Sequence, residues 1–186
     1  METQEPQKPK NRKNKHTDDL IDHYWGSISY VSSLIKASEI KAGLILSFYG
    51  ILLNFSYKYI EIILETATDK TFLYVLLGAW FISTVISIYF SVRCFMPRIE
   101  AKYEKNIFFF GDVISKFGNI KEFSKTFYNI SLDGEQLFDQ LGQQIFIISK
   151  IAALKFKYVN KSLRFLALGL FLLLVLVSYN LIVTHS

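Results

Sequence analysis

Three long runs of apolar residues divide the chain, and charged side chains are nearly absent from them. The runs at residues 71–92 and 165–183 contain no charged residue at all. An α-helix of about 20 apolar residues crosses the hydrocarbon core of a lipid bilayer. These two runs therefore predict two membrane-spanning helices.

A third apolar run, at residues 43–63, is less uniform. Its first 15 residues are uncharged, but Lys58 and Glu61 follow in the last turns. A lysine near the end of a span can extend its ammonium group to the interface, so the cost of insertion is small. An amphipathic helix of a soluble protein is the alternative, but such a helix seldom stays uncharged for so long. We therefore predict three spans.

Helical patterns also extend from the first and last spans into polar sequence. Thr17, followed by two aspartates, has the features of a helix start. Asp133 and Gln136 form a second start of the capping-box type. Apolar residues recur at helical spacing after each start, and no proline interrupts them before the span. The sequence thus predicts two long helices, at about 17–63 and 133–183.

The segment that follows the second span is rich in aromatic residues and is broken by glycines. Gly111, Gly118 and Gly134 are expected to divide it into short helices. Its aromatic side chains are expected to cover the polar halves of the two long helices. These side chains are Phe108, Phe109, Phe110, Phe117, Phe123, Phe127 and Tyr128.

Basic residues are distributed unevenly around the three spans. Segment 1–41 holds seven lysines and arginines, segment 93–164 holds twelve, and the tail after residue 183 holds none. Cytoplasmic loops of membrane proteins carry an excess of lysine and arginine. We therefore expect the N-terminus and segment 93–164 in the cytoplasm and the C-terminus outside. The same bias explains the net positive charge, so no nucleic-acid polymer is expected as a partner.

Strand patterns are weak throughout, so the predicted fold class is all-α. We expect a membrane protein with three transmembrane helices, two of which continue into a cytoplasmic helical bundle. Residues 17–183 are expected to form a single domain, with a cytoplasmic lobe built from 17–42 and 93–164. Residues 1–16 are polar and basic and contain two prolines, which predicts a disordered tail.

The residue types that catalysis requires are scattered or missing. The three histidines lie far apart, and no metal-ligand spacing, phosphate-binding loop or nucleophile motif is present. The single cysteine, Cys94, excludes an internal disulfide and is expected to be a buried structural side chain. We predict that the protein is not an enzyme and holds no metal or cofactor.

Small polar residues form a stripe on the second span. Thr84, Ser87 and Ser91 share one helix face. Such a stripe could line a pore, but a seam for close helix packing is the more common meaning. We favour the packing seam.

Three short motifs stand at fixed places relative to the spans. They are SEIKAG at 38–43, NIFFFG at 106–111, and QQIFIISK at 143–150 followed by Lys155 and Tyr158. Together, in this order and spacing, they resemble the Pycsar effector transmembrane domain. The resemblance covers about residues 18–183.

The resemblance implies an effector of bacterial anti-phage defence. In that family a neighbouring cyclase makes a cyclic pyrimidine nucleotide, such as cUMP or cCMP, when infection is sensed. The membrane protein binds this nucleotide and impairs inner-membrane integrity, which causes growth arrest or abortive infection. The implied partners are the lipid bilayer and the nucleotide. Further copies of the chain are also expected, because three helices cannot enclose a pore alone.

The motifs also supply candidate ligand-binding residues. A cyclic monophosphate needs a cation or an N–H group for its phosphate and a flat or amide-bearing surface for its base. The candidates are Lys41, Asn106, Phe109, Gln143, Gln144, Lys150, Lys155 and Tyr158.

Two other classes of protein are also compatible with the sequence. A passive anchor, or a subunit of a larger membrane complex with a protein-docking lobe, fits the same pattern of spans. A small transporter fits less well, because no span carries a charge near its middle and no inverted repeat is visible.

Overall fold

The computed structural model describes residues 12–66, 70–96 and 104–185, and all of its regular elements are helices. They are α1 (Arg12–Thr66), α2 (Lys70–Phe95), α3 (Phe110–Ser115), α4 (Ile120–Leu132) and α5 (Gly134–His185). The described residues contain no strand, which confirms the all-α prediction. Helices α1, α2 and α5 are each long and apolar enough to cross a membrane, so the three predicted spans are confirmed as well.

The chain divides into two compact units. We call Leu34–Ile99 with Lys150–Ser186 the span unit, because all three predicted spans fall within it. We call Met1–Ser33 with Glu100–Ser149 the aromatic unit. Helices α1 and α5 each run without a break from one unit into the other.

The start of α1 differs from the prediction. The helix begins at Arg12, five residues before the expected cap at Thr17. Residues 12–16 contain neither proline nor glycine, and lysine and arginine are good helix formers, so nothing stops the helix at Thr17. Of the predicted disordered tail, residues 1–11 lie outside the described residues, and residues 12–16 are helical.

The start of α5 matches the prediction. The carboxylate of Asp133 accepts hydrogen bonds from the N–H groups of Glu135 at 3.1 Å and Gln136 at 3.2 Å. The side-chain amide of Gln136 also donates to this carboxylate at 2.8 Å. N–H groups in the first turn have no partner within the helix, so these bonds fix where α5 begins.

In the span unit a set of small polar side chains of α2 faces inward. Ser83, Thr84, Ser87 and Ser91 are all buried. The Ser87 hydroxyl donates to the carbonyl of Ser162 on α5 at 2.8 Å, and the Ser91 and Ser162 hydroxyls lie 2.7 Å apart. The stripe on α2 is therefore the predicted packing seam against α5.

Candidate functional site

The eight predicted ligand-binding residues divide equally between the two units. Asn106, Phe109, Gln143 and Gln144 belong to the aromatic unit. Lys41, Lys150, Lys155 and Tyr158 belong to the span unit.

Asn106 holds together the loop that precedes α3. Its side-chain amide is fully buried and donates to the carbonyl of Gln140 on α5 at 2.7 Å. Its side-chain oxygen accepts from the N–H groups of Phe108 at 2.9 Å and Phe109 at 3.1 Å. Its own N–H donates to the carboxylate of Asp112 at 3.0 Å. The polar atoms of Asn106 are thus used within the fold.

Two residues that hold this loop in place, one on α3 and one on α5, were not predicted from the sequence. Asp112, in the first turn of α3, is buried and forms an ion pair with Lys116 at 2.9 Å. Gln140 accepts a hydrogen bond from the N–H of Ile107 at 3.0 Å. The sequence did contain an indication of the role of Asp112, because an acidic side chain is favourable in the first turn of a helix. Gln140 lies 34 residues from Asn106, and no local pattern links the two residues.

Aromatic side chains form the interior of the aromatic unit. The ring of Phe108 meets Trp25 edge-on, with 5.7 Å between centroids, and Phe127 at 5.9 Å. Phe117 meets Phe123 in the same manner at 5.2 Å. The contact of Phe108 with Trp25 confirms part of the predicted cover over the polar half of α1. The prediction was wrong for Phe110 and Tyr128, since Phe110 is 79% exposed and makes no such contact with the described residues. Tyr128 is 64% exposed, because it lies on the outer face of α4.

Phe109, the predicted stacking residue, is half-buried. A Cβ atom placed on Gly111 would lie 2.8 Å from the Phe109 ring. Only a glycine therefore lets the ring lie so close to the backbone at the start of α3.

The two neighbouring glutamines differ in their surroundings. The side-chain amide of Gln143 donates to the carboxylate of Asp139, one turn earlier on α5, at 2.9 Å. Gln144 is only 8% exposed, and its buried side-chain oxygen has no hydrogen-bond partner among the described residues. A buried acceptor without a partner costs about 1–3 kcal/mol. The side-chain oxygen of Gln144 is thus a buried acceptor in the aromatic unit that has no described hydrogen-bond partner.

Lys155 joins the three long helices of the span unit. Its side chain is 5% exposed, and its ammonium nitrogen lies 2.6 Å from the carboxylate of Glu39 on α1. The same ammonium donates to the carbonyl of Cys94 at 2.8 Å. Cys94 lies in the last turn of α2, where carbonyl groups have no partner within the helix and a cation is favourable. We call Glu39, Cys94 and Lys155 the three-helix junction.

The cysteine of the junction is structural, as predicted. Cys94 is completely buried. Its sulfur lies 3.6 Å from the backbone carbonyls of both Ser38 and Lys155, as a weak donor to each. It therefore contacts both α1 and α5.

The remaining candidates of the span unit lie nearer its surface. Lys41 and Lys150 are exposed, and the ammonium of Lys41 lies 5.9 Å from the ring centre of Phe156. Tyr158 is half-buried, with the guanidinium of Arg93 5.6 Å from its ring centre.

An open groove follows one face of α4. Its lining residues are Ile120, Lys121, Ser124, Lys125 and Tyr128. None of the eight predicted residues lines this groove. Its two lysines, one turn apart, make it a second place where an anion could bind.

Comparison with known proteins gives a consistent result. A family profile described as Pycsar effector protein domain matches residues 23–182. The chain is 26% identical over 156 residues to the Pycsar effector protein PtPycTM of Propioniciclava tarda, which covers 82% of this chain and 76% of that protein. It is 28% identical over 141 residues to the Pycsar effector protein SaPycTM of Staphylococcus aureus, covering 76% of this chain and 84% of that protein. No solved structure matches the chain.

Proposed function

Because the chain belongs to the Pycsar effector family, we propose that it binds cUMP or cCMP and then impairs the integrity of the bacterial inner membrane. Membership implies a cyclic-nucleotide-dependent effector of anti-phage defence. The observation that carries the proposal is the family match, which includes all three spans. The nucleotide would come from a neighbouring cyclase, and growth arrest or abortive infection would follow.

The proposed orientation places the N-terminus and segment 93–164 in the cytoplasm and the C-terminus outside. The twelve basic residues of that segment support this orientation, since positive loops stay on the cytoplasmic side. A nucleotide made in the cytoplasm would then have direct access to the aromatic unit.

Within the aromatic unit, Gln144 is the strongest ligand candidate. Its unmet oxygen is an acceptor, and the edges of uracil and cytosine carry N–H donors. Asn106 and Lys155 are buried and their side chains already have partners within the chain, so we assign them a structural role. The other candidates beside Gln144 are Lys41, Phe109, Gln143, Lys150 and Tyr158.

The response would pass along α1 and α5, because both helices continue into the spans. A nucleotide shifts the protein toward an active arrangement only if it binds that arrangement more tightly than the resting one. Side chains such as Tyr49, Leu73 and Trp80 fill the interior of the span unit. A membrane opening would therefore need several copies of the chain, so we propose a homo-oligomer.

A binding measurement tests the ligand and Gln144 together. We expect cUMP or cCMP to raise the thermal unfolding midpoint of the purified full chain in detergent. We expect Gln144→Met to abolish this shift without lowering the midpoint of the free protein. Methionine fills a similar volume and removes the oxygen that has no partner.

Two control variants sharpen the result. Asn129→Ala removes an exposed amide on α4 and is expected to leave the nucleotide shift intact. Lys121→Ala with Lys125→Ala tests the α4 groove. If that pair abolishes the shift and Gln144→Met preserves it, the ligand binds at the groove and our assignment is wrong. If no cyclic nucleotide shifts the midpoint, a passive membrane anchor becomes the better account.

A further inference from the structure

Within the span unit, a set of small polar side chains of α2 is buried, whereas a polar side chain of α1 is exposed. Each serine and threonine of α2 between Ser83 and Ser91 is buried against the other helices. Asn54 lies near the middle of the predicted span 43–63 on α1, and its side chain is exposed. No described residue offers a hydrogen bond to its amide.

An exposed asparagine at this depth is unfavourable in lipid. Polar side chains within spans almost always face the interior of a bundle or a cavity, because hydrocarbon offers no hydrogen bonds. A serine can bond to a carbonyl of its own helix, as Ser38 does to Leu34 at 3.0 Å. The asparagine amide carries two donors and one acceptor, and a single turn of its own helix does not satisfy them all.

A glycine stands on the same face of α1. A Cβ atom on Gly50, as on Gly78 of α2, would meet nothing within 4 Å, so no packing contact with the described residues explains this glycine. Gly169 on α5 provides the contrast, because a Cβ atom there would lie 3.7 Å from the Ser83 hydroxyl. Glycine within a helix is unfavourable by about 1 kcal/mol relative to alanine. At Gly50 this unfavourable free energy would be offset if another helix packed closely against α1.

The exposed small and polar residues of α1 share one stripe. Ser47, Gly50 and Asn54 are separated by three and four residues, the spacing that places side chains on one helix face. We call these three residues the α1 seam. Lys58 continues the stripe toward the end of the span, where its ammonium can reach water.

We propose that the α1 seam packs against the α1 seam of a second copy of this chain. This inference deepens the homo-oligomer proposed above and rests on it. Copies inserted with the same topology have parallel α1 helices, so Asn54 of one copy meets Asn54 of the other. The amide is both donor and acceptor and therefore complements itself. Gly50 lets the two backbones approach, as small residues do at helix interfaces in membranes.

Disulfide trapping tests the seam in the full chain, purified and reconstituted into liposomes without any nucleotide. The variant Asn54→Cys places a thiol on the seam. The variants Ile82→Cys on α2 and Leu174→Cys on α5 are matched controls, because both positions are exposed and near mid-span. Native Cys94 is completely buried, so each variant presents one accessible thiol.

Copper–phenanthroline is expected to give a disulfide-linked dimer with Asn54→Cys, in clear excess over both controls. Equal yields at the three positions, or a higher yield at either control, would overturn the proposal. Asn54→Val is expected to weaken self-association, measured by energy transfer between labelled copies, about tenfold. In detergent dilute enough to keep the chain monomeric, its thermal unfolding midpoint should stay unchanged, because Asn54 has no described contact within the chain to lose.

These measurements distinguish a failure of the α1 seam proposal from a failure of the proposed nucleotide binding. Dimer formation through the α1 seam is expected without nucleotide. The seam can therefore be confirmed even if the protein binds no cyclic nucleotide. A chain that binds cUMP or cCMP but gives no Asn54→Cys dimer contradicts the seam and leaves the proposed function standing.

Discussion

Glu39→Gln is expected to destabilise the span unit more than Lys155→Met. The glutamine can still accept a hydrogen bond from the ammonium of Lys155, but it removes the negative charge that compensates this buried cation. Removing one partner of a fully buried ion pair typically costs about 3–5 kcal/mol, because the other charge is left uncompensated. Since Glu39 is partly exposed to solvent, we expect a loss below that range. Lys155→Met removes the buried charge itself. The side chain of Glu39 is 38% exposed and can take up water in that variant.

A double-mutant cycle measures this asymmetry. We expect the combined Glu39→Gln and Lys155→Met variant to be more stable than Glu39→Gln alone, since no buried charge remains. Detergent-solubilised protein unfolded by heat or denaturant gives the comparison. The matched control is Glu122→Gln, which breaks the surface pair with Lys105 and should cost less than about 1 kcal/mol. Additive effects, or a smaller loss for Glu39→Gln than for Lys155→Met, would contradict the junction.

Ser162→Leu is expected to separate α2 from α5. Ser162 is completely buried, and its hydroxyl donates to the carbonyl of Ser87 at 2.8 Å. A leucine brings extra carbon atoms into a close helix contact and removes the hydroxyl that Ser87 and Ser91 share. Overpacking and the lost hydrogen bonds together should cost about 3 kcal/mol, seen as a lower unfolding midpoint.

The same substitution elsewhere on α5 provides the control for this seam. Ser178 is exposed on the span, so Ser178→Leu replaces a hydroxyl that faces lipid by an apolar side chain. It should leave the midpoint unchanged or raise it. If Ser162→Leu proves as harmless as Ser178→Leu, the α2–α5 seam is not closely packed.

The spans could be predicted because the bilayer imposes its requirement on local sequence. About 20 residues without charge are sufficient evidence for one helix, wherever the rest of the chain goes. The start of α5 was predictable for a similar reason, since the carboxylate of Asp133 accepts from the N–H groups of Glu135 and Gln136 within one turn. The start of α1 was not, because helix propensity alone extends it to Arg12.

The internal roles of Asn106 and Lys155 could not be read from the sequence. Lys155 pairs with Glu39, 116 residues away, and Asn106 bonds to Gln140, 34 residues away. Such pairs depend on how the helices are rotated and aligned, which no local pattern records. The prediction of Asn106 and Lys155 as ligand contacts therefore did not anticipate that both side chains have partners within the chain. Gln144 keeps its candidate role because its oxygen has no described partner.

Dye release from liposomes that contain the purified full chain tests the central claim most directly. We predict release on addition of cUMP or cCMP, and none with cAMP or cGMP at the same concentration. Gln144→Met should release no dye with any of the four nucleotides. Liposomes that stay sealed with every cyclic nucleotide, or that leak equally without one, would contradict the account.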